Sequence, residues 1–135
     1  MENMDKTTNF GVHYMLDGYE ADVDLLRDEE ALLNILNTIP EEMGMHKISK
    51  PMVVVAGPNN HKDPGGLSGF VMIAESHISF HTFANRGFVT IDVYTCQNKL
   101  DTDTLTKKFV DAFKIKNYDE KVVARGTKYP IENIY

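Results

Sequence analysis

Residues 74–82, AESHISFHT, place several polar groups inside a stretch that otherwise has the pattern of a β-strand. These groups are the side chains of Glu75, Ser76, His77 and His81. A buried strand rarely carries so many polar side chains without a reason, because an unpaired buried polar group costs free energy. A hydroxyl, a carboxyl and two imidazoles at this spacing could perform nucleophilic and proton-transfer chemistry. The stretch is therefore the first candidate for a functional site.

A metal site is a different interpretation of the same residues. His77 and His81 are four residues apart, so on a strand both point to one face, and Cys96 could join them around zinc. The chain has no second cysteine and no closely spaced ligand pair, so we predict no metal. Cys96 alone is typical of a small buried side chain, and Ser68 in GLSG of a turn. A zinc-binding module stays a lesser alternative.

The composition limits the classes of protein to consider. A chain of 135 residues suits one domain, and 42% hydrophobic with 25% charged residues is typical of a soluble globular protein. Acidic residues outnumber basic ones by 20 to 14 and no basic run occurs, so we expect no nucleic-acid partner. The polar start, the single cysteine and the lack of an apolar run of about 20 residues predict a cytoplasmic protein without a membrane segment.

The spacing of apolar residues predicts the elements that position these groups. Residues 10–19 alternate as a first strand. Residues 22–38 have an acidic first turn, which indicates a helix that Pro40 should end. Its apolar residues at helical spacing are Leu25, Leu32, Leu33, Leu36 and Ile39.

The second half of the chain has mainly strand patterns. The short run of mainly β-branched residues at 52–56 predicts a buried strand. A loop rich in Gly, Pro and Asn follows over 57–66. Three further strands are predicted at 67–74, 76–83 and 87–96, and a hairpin turn at 84–87 joins the last two. A helix follows at 101–115, with Asp101 or Thr102 as its cap, and a last strand is predicted at 120–129. This order indicates an α+β fold, a two-layer sandwich whose mostly antiparallel sheet is covered on one face by helices. The other face then needs solvent, a ligand or a second copy of the chain.

The combined spacing of the candidate groups resembles a known family. The segment 66–96 has a serine in a Gly-x-Ser-Gly turn, Glu-Ser-His eight residues on, His-Thr five after that second serine, and Thr-Cys at the end of the next strand. In this it resembles the prokaryotic S-adenosylmethionine decarboxylases, and the likeness extends over roughly residues 10–127. These are pyruvoyl-dependent enzymes of polyamine biosynthesis.

The resemblance implies that the chain cuts itself between Glu75 and Ser76. The single domain 1–135 would yield a 1–75 chain that stays as a partner and a 76–135 chain. Ser76 would become a covalent pyruvoyl group, the cofactor, which forms a Schiff base with a small-molecule amine substrate and releases CO2.

The resemblance also assigns roles to the remaining polar residues. His81 would move the proton during self-cleavage, and Ser68 would hydrogen-bond the intermediate. Cys96 would protonate the carbanion left by decarboxylation. The family further implies a homodimer, in which Ser68 and His81 face the pyruvoyl group of the neighbouring subunit. Such a dimer would cover the open face of the sheet.

The substrate-binding positions depart from the family pattern. After His-Thr the family usually has Trp-Pro-Glu, whose carboxylate holds ribose, whereas this chain has Phe83, Ala84 and Asn85. Where the family has a phenylalanine that stacks on adenine, this chain has Lys62 or Asp63. Asp63 could pair with a cationic tail, so we predict L-arginine or L-ornithine as the substrate. S-adenosylmethionine in a modified pocket is the main alternative, and a non-catalytic partner subunit is a lesser one.

Overall fold

The structure, a computed structural model, describes residues 7–58, 65–97 and 100–130. No helix within these ranges is long and apolar enough to cross a membrane. The elements follow the order β1 Thr7–Thr8, β2 Gly11–Tyr19, α1 Val23–Leu26, α2 Glu29–Glu42, β3 Met52–Ala56, β4 Gly66–Ile73, β5 Ser76–Phe83, a 3-10 turn Ala84–Arg86, β6 Phe88–Thr95, α3 Thr102–Phe113, β7 Asn117–Arg125 and β8 Tyr129–Pro130.

One antiparallel sheet of six strands dominates the structure, in the order β3-β4-β5-β6-β2-β7. Alternate residues of the central strands are buried beneath the helices, as the period of two requires. Tyr14, Phe80, Phe109 and Phe113 are the largest of the fully buried core side chains. The predicted α+β class, with helices on one face of an antiparallel sheet, is confirmed.

The helical region after β2 differs from its prediction. The expected single helix over 22–38 is two helices, because Asp22 and Asp28 both act as N-caps and accept hydrogen bonds from backbone N–H groups three residues on. Pro40 does not end α2, which runs on to Glu42. An interior proline removes its own backbone donor and its ring crowds the carbonyl four residues before it, and the burial of Pro40 with Ile39 in the core offsets that cost.

Three further expectations need correction. β3 is an exposed edge strand rather than a buried one, because only β4 pairs with it, and Val55 is 76% exposed. The expected hairpin turn at 84–87 is a short 3-10 turn followed by Gly87 in the left-handed conformation. The last long strand begins at Asn117 rather than at residue 120. The predicted cap of α3 is confirmed, since Asp101 accepts from the Thr104 N–H at 3.0 Å.

A chain of side-chain hydrogen bonds joins α3 to the sheet. Tyr14 on β2 hydrogen-bonds the Thr106 hydroxyl at 2.6 Å, and Thr106 donates to the Glu120 carboxylate on β7, also at 2.6 Å. Because Thr106 donates to Glu120, the Tyr14 hydroxyl is the donor in the first bond. Burial raises the pKa of Tyr14 well above its usual value, which keeps this phenol protonated. The chain of bonds fixes the helical layer over one end of the sheet.

The sheet surface away from the helices is the open face. On it lie the outward-pointing residues of every strand, among them Ser68, Phe70, His77 and His81. Phe70 and Met72 are 39% and 46% exposed, although both are large apolar side chains. An exposed apolar surface of this kind is typical of an interface.

Candidate active site

Ser76 begins β5 directly after a tight turn. Ile73 and Ser76 are cross-strand partners, so Ala74 and Glu75 form the whole connection between β4 and β5. Glu75 has a positive φ of 60°, a conformation that costs a residue with a side chain roughly 1–2 kcal/mol. The backbone is therefore strained at the bond expected to be cut, and strain of this kind clusters at functional sites.

The Ser76 hydroxyl lies beside the end of β6. The Cys96 backbone N–H donates a hydrogen bond to Ser76 Oγ at 3.2 Å, and Ser76 is only 8% exposed. Cys96 itself is half-buried. The structure thus brings together the predicted nucleophile and the predicted proton donor, which are 20 residues apart in the sequence.

Gly11 has a role that the sequence reasoning missed. A Cβ atom at this position would lie 2.0 Å from the Thr95 carbonyl oxygen and 2.8 Å from Cys96 Cα. Any larger residue would displace the segment that holds the Ser76 hydroxyl. A glycine at the start of a strand pattern indicates close backbone approach of this kind, so the sequence did carry a signal.

Ser68 and His81 form a second pair on the open face. They are cross-strand partners on β4 and β5, and Ser68 Oγ lies 2.8 Å from His81 Nδ1. Ser68 lies within a strand rather than in a turn. The pair is accessible, so a hydroxyl and an imidazole are ready to act on a group from outside the chain.

The two pairs are far apart in one chain. Ser76 and His81 are five residues apart on β5, so their Cα atoms are separated by about 16 Å. The odd spacing also sends their side chains to opposite faces of the sheet. Ser68 and His81 therefore cannot contact Ser76 of their own chain.

Two of the expected substrate-binding residues, Phe83 and Asn85, lie near the second pair. The Phe83 ring stacks on Phe88 with 5.6 Å between centroids. Asn85 lies in the 3-10 turn, and its amide oxygen accepts a hydrogen bond from the Arg27 guanidinium. Lys62 and Asp63 lie outside the described residues. Arg27, which the sequence reasoning missed, lines a cavity together with Asn85, Gly66 and Leu67.

His77 and His81 share a face as predicted, but their surroundings differ. The His77 ring stacks on Phe70 at 5.6 Å and lies 5.8 Å from the Tyr94 ring. Burial lowers the pKa of His77 below its usual value, and the nearby His13 lowers it further. Among the described residues, no group of three His, Cys, Asp or Glu side chains could hold a metal ion.

Comparison with known proteins identifies the family. Residues 12–126 match the family model described as S-adenosylmethionine decarboxylase. The chain belongs to this family. S-adenosylmethionine decarboxylases are pyruvoyl-dependent, and their pyruvoyl group is made from a serine by self-cleavage.

Individual relatives of the S-adenosylmethionine decarboxylase family cover nearly the whole chain. The S-adenosylmethionine decarboxylase proenzyme of Picrophilus torridus is 32% identical over 87% of this chain and 85% of its own length. The proenzyme of Persephonella marina is 33% identical over 92% of this chain and 86% of its own length. The crystal structure of the adenosylmethionine decarboxylase from Aquifex aeolicus superposes with a TM-score of 0.74 and 26% identity, covering 95% of this chain and 98% of that one.

The residues present fit the family's cofactor. Ser76 lies at a strained two-residue turn, and its hydroxyl is buried and held by a backbone N–H group. A serine in this setting can reach the carbonyl carbon of the preceding residue, as self-cleavage requires. The chain is a pyruvoyl-dependent decarboxylase on the strength of its family and of this fit.

Proposed function

We propose that this chain cuts itself between Glu75 and Ser76 and decarboxylates S-adenosylmethionine as a dimer in which each subunit completes the site of the other. The observation that carries the proposal is the division of the site. Ser76 and Cys96 form one half, and Ser68 and His81 form the other, about 16 Å along the same strand. A second copy can supply the Ser68–His81 half to the Ser76–Cys96 half.

The proposed cleavage uses the strained turn. Ser76 Oγ adds to the Glu75 carbonyl carbon and the peptide C–N bond breaks, which leaves an ester. A base then removes the Ser76 Cα proton and the ester C–O bond breaks, so that residues 1–75 leave with a new carboxylate on Glu75. Hydrolysis of the dehydroalanine at position 76 releases ammonia and leaves the pyruvoyl group.

The Ser68–His81 pair supplies the acid–base chemistry of this cleavage. His81 of the partner subunit takes up and returns the proton, since an imidazole can do both near neutral pH. Ser68 shares a hydrogen bond with His81 Nδ1, and its hydroxyl can also donate to the oxygen that becomes negative. The arrangement makes self-cleavage depend on dimer formation.

Cys96 then acts in the decarboxylation. The pyruvoyl carbonyl supplies the electron sink for loss of CO2 from a substrate attached through its α-amine. Cys96 follows β6 at the Ser76 end of the sheet, so its thiol can deliver a proton to the substrate carbon that loses CO2.

Two observations support S-adenosylmethionine as the substrate. The relatives that match nearly the whole chain are named for that activity. Arg27 lines a cavity together with Asn85, and its guanidinium can donate hydrogen bonds to neutral hydroxyl groups such as those of a ribose.

L-Arginine or L-ornithine stays the second candidate. Asn85 stands where the family usually has a carboxylate, and its amide oxygen is already bonded to Arg27. A ribose would therefore be held without the charge-assisted hydrogen bonds that a carboxylate gives. Asp63, the predicted partner of a cationic tail, stays a prediction.

The mass of the purified chain and its turnover test the proposal. Wild type should give fragments 1–75 and 76–135, the second without a free amino group, whereas Ser76→Ala should stay intact. Ser79→Ala, a serine on the same strand, is the matched control and should be cut normally. An uncut wild-type chain would refute the proposal. Side-by-side assays with S-adenosylmethionine, L-arginine and L-ornithine decide the substrate, and turnover of an amino acid alone would favour the second candidate.

A further inference from the structure

Arg125 ends β7 close to the Ser76–Cys96 half of the site. Its cross-strand partner is Gly11 on β2. A Cβ atom at Gly11 would lie 2.8 Å from Cys96 Cα, so only this glycine separates the Cys96 backbone from β7. Paired strands are about 5 Å apart, which places the Cα atoms of Arg125 and Cys96 within about 10 Å of each other. The arrangement brings a permanently charged side chain to this half.

The Arg125 side chain lies over the strand next to β5. Its guanidinium carbon is 4.9 Å from the centre of the Tyr94 ring, which is a cation–π distance. Tyr94 belongs to β6, and its cross-strand partner on β5 is His77, the residue directly after Ser76. Burial is the main cause of the lowered pKa of His77, and the charge of Arg125 lowers it further. The positive charge of Arg125 therefore acts at the start of β5.

The donors of the Arg125 guanidinium are free to bind a ligand. Within the described part of the chain, its side chain donates no hydrogen bond and pairs with no carboxylate. Neighbouring cations on the same face do have acidic groups beside them, since His13 is bonded to Asp92 at 2.9 Å and Lys121 lines a cavity with Asp119. A guanidinium presents five N–H donors in a planar fork that matches a carboxylate. A carboxylate is therefore the ligand that suits Arg125.

Each candidate substrate carries a carboxylate beside the amine that joins position 76. The carbon that receives this amine is the former Cα atom of Ser76, at the very start of β5. The buried direction of the Ser76 side chain therefore does not decide from which face the substrate approaches. The carboxylate oxygens lie within about 4 Å of that carbon, and a hydrogen bond extends about 3 Å further. A guanidinium held over Tyr94, on the neighbouring strand, can reach this position.

We propose that Arg125 binds the α-carboxylate of the substrate before CO2 is lost. The inference rests on the proposed function, because it requires a substrate joined at position 76. It holds for S-adenosylmethionine and for the basic amino acids alike, since all of them carry this group. The ion pair forms with the bound substrate and disappears as the carboxylate becomes neutral CO2. It therefore strengthens substrate binding without accelerating the chemical step.

A pair of unreactive ligands tests whether Arg125 recognises the carboxylate. In a deaminated analogue of S-adenosylmethionine, hydrogen replaces the α-amine, so the analogue cannot join position 76 or be turned over. Its methyl ester differs only in lacking the negative charge. Calorimetry should show that wild type binds the acid at least about tenfold more tightly than the ester, as a hydrogen bond between charged groups does. Arg125→Gln should lose this preference and keep its affinity for the ester, and Arg125→Lys should retain part of the preference.

Lys121→Gln is the matched control, because it removes a positive charge from the same strand about 13 Å away and should leave the preference unchanged. Arg125→Gln should be cut like wild type, which intact mass shows, and should turn over S-adenosylmethionine with a KM at least about tenfold higher and an unchanged kcat. If the substrate assays favour an amino acid, the deaminated analogue of that amino acid and its ester replace the first pair.

Two outcomes would overturn the carboxylate role of Arg125. One is a wild-type chain that does not distinguish acid from ester, which needs no variant to fold. The other is a preference for the acid that survives in Arg125→Gln, or a lower kcat of this variant at an unchanged KM. A wild-type chain that stays uncut would refute the proposed function instead, and its affinities for acid and ester would still judge the role of Arg125.

Discussion

A mixture of two inactive variants can show whether each cleavage site is shared between chains. His81→Ala keeps the Ser76 nucleophile but loses the imidazole, whereas Ser76→Ala keeps the Ser68–His81 pair and has no hydroxyl to attack with. Ser76→Ala should not cleave at all. His81→Ala should cleave about 10²–10⁴-fold more slowly than wild type, the usual effect of removing a proton-transfer group.

The register of β5 determines the expected yield of the mixture. His81 is about 16 Å from Ser76 of its own chain, and a hydrogen bond spans only about 3 Å. A His81→Ala chain can therefore be cut quickly only when it is opposite a Ser76→Ala chain. Random pairing of equal amounts places about half of the His81→Ala chains in mixed dimers, so about half should be cut.

The assay is co-expression with two different tags, followed by intact mass measurement. Fragment 76–135 should come from the His81→Ala chain alone. His46→Ala is the matched control. The His46 side chain is exposed, and the substitution keeps the backbone oxygen that accepts a hydrogen bond from the Ala74 N–H. A mixture that stays uncut would refute the shared site, as would rapid cleavage of His81→Ala on its own.

Three further predictions follow from the site and the core. Cys96→Ala should still be cut but should release CO2 about 10²–10⁴-fold more slowly in a single-turnover assay, and normal turnover would exclude a proton-donor role. Phe80→Ala should lower the free energy of unfolding in urea by about 3–5 kcal/mol, because its buried ring packs edge-on against Phe113 at 5.3 Å; a loss under about 1 kcal/mol would contradict this packing. The folded-state pKa of His77 is lowered, so the unfolded chain binds more protons, and stability should fall as the pH drops below about 6.5. Unfolding of His77→Gln should depend less on pH in that range, and an unchanged pH dependence would show that His77 does not contribute to it.

Most strands could be predicted because their burial alternates with a period of two. β5 and β3 have the predicted bounds, although β3 is an exposed edge. The break between α1 and α2 could not be predicted from leucine spacing, since Asp28 fits equally well on the exposed side of one long helix. Only the hydrogen bond from the Ala31 N–H to its carboxylate shows that it caps a new helix. Helix ends depend on such local bonds rather than on hydrophobic pattern.

The site shows where the limit of sequence reasoning lies. Motif spacing identified Ser68, Ser76, His81 and Cys96 as candidate site residues. In the structure Ser68 hydrogen-bonds His81, and the Cys96 backbone N–H hydrogen-bonds Ser76. The odd spacing of Ser76 and His81 already indicated opposite faces, so their separation could have been anticipated. The contact of Arg27 with Asn85 could not, because it joins residues 58 positions apart through a turn whose geometry the sequence did not reveal.

The strand order has a consequence for the two pieces that the proposed cut would produce. Strands β3, β4 and β2 belong to the piece 1–75, and β5, β6 and β7 belong to the piece 76–135, so the order β3-β4-β5-β6-β2-β7 interleaves the two. β2 lies between β6 and β7, and neither piece can leave without breaking the sheet. Unfolding, however, would let the pieces diffuse apart, so refolding becomes a bimolecular reaction that slows on dilution. The proposed mature enzyme would then be held together by the pairing of its strands alone, and dilution of the denatured pieces would slow their reassembly.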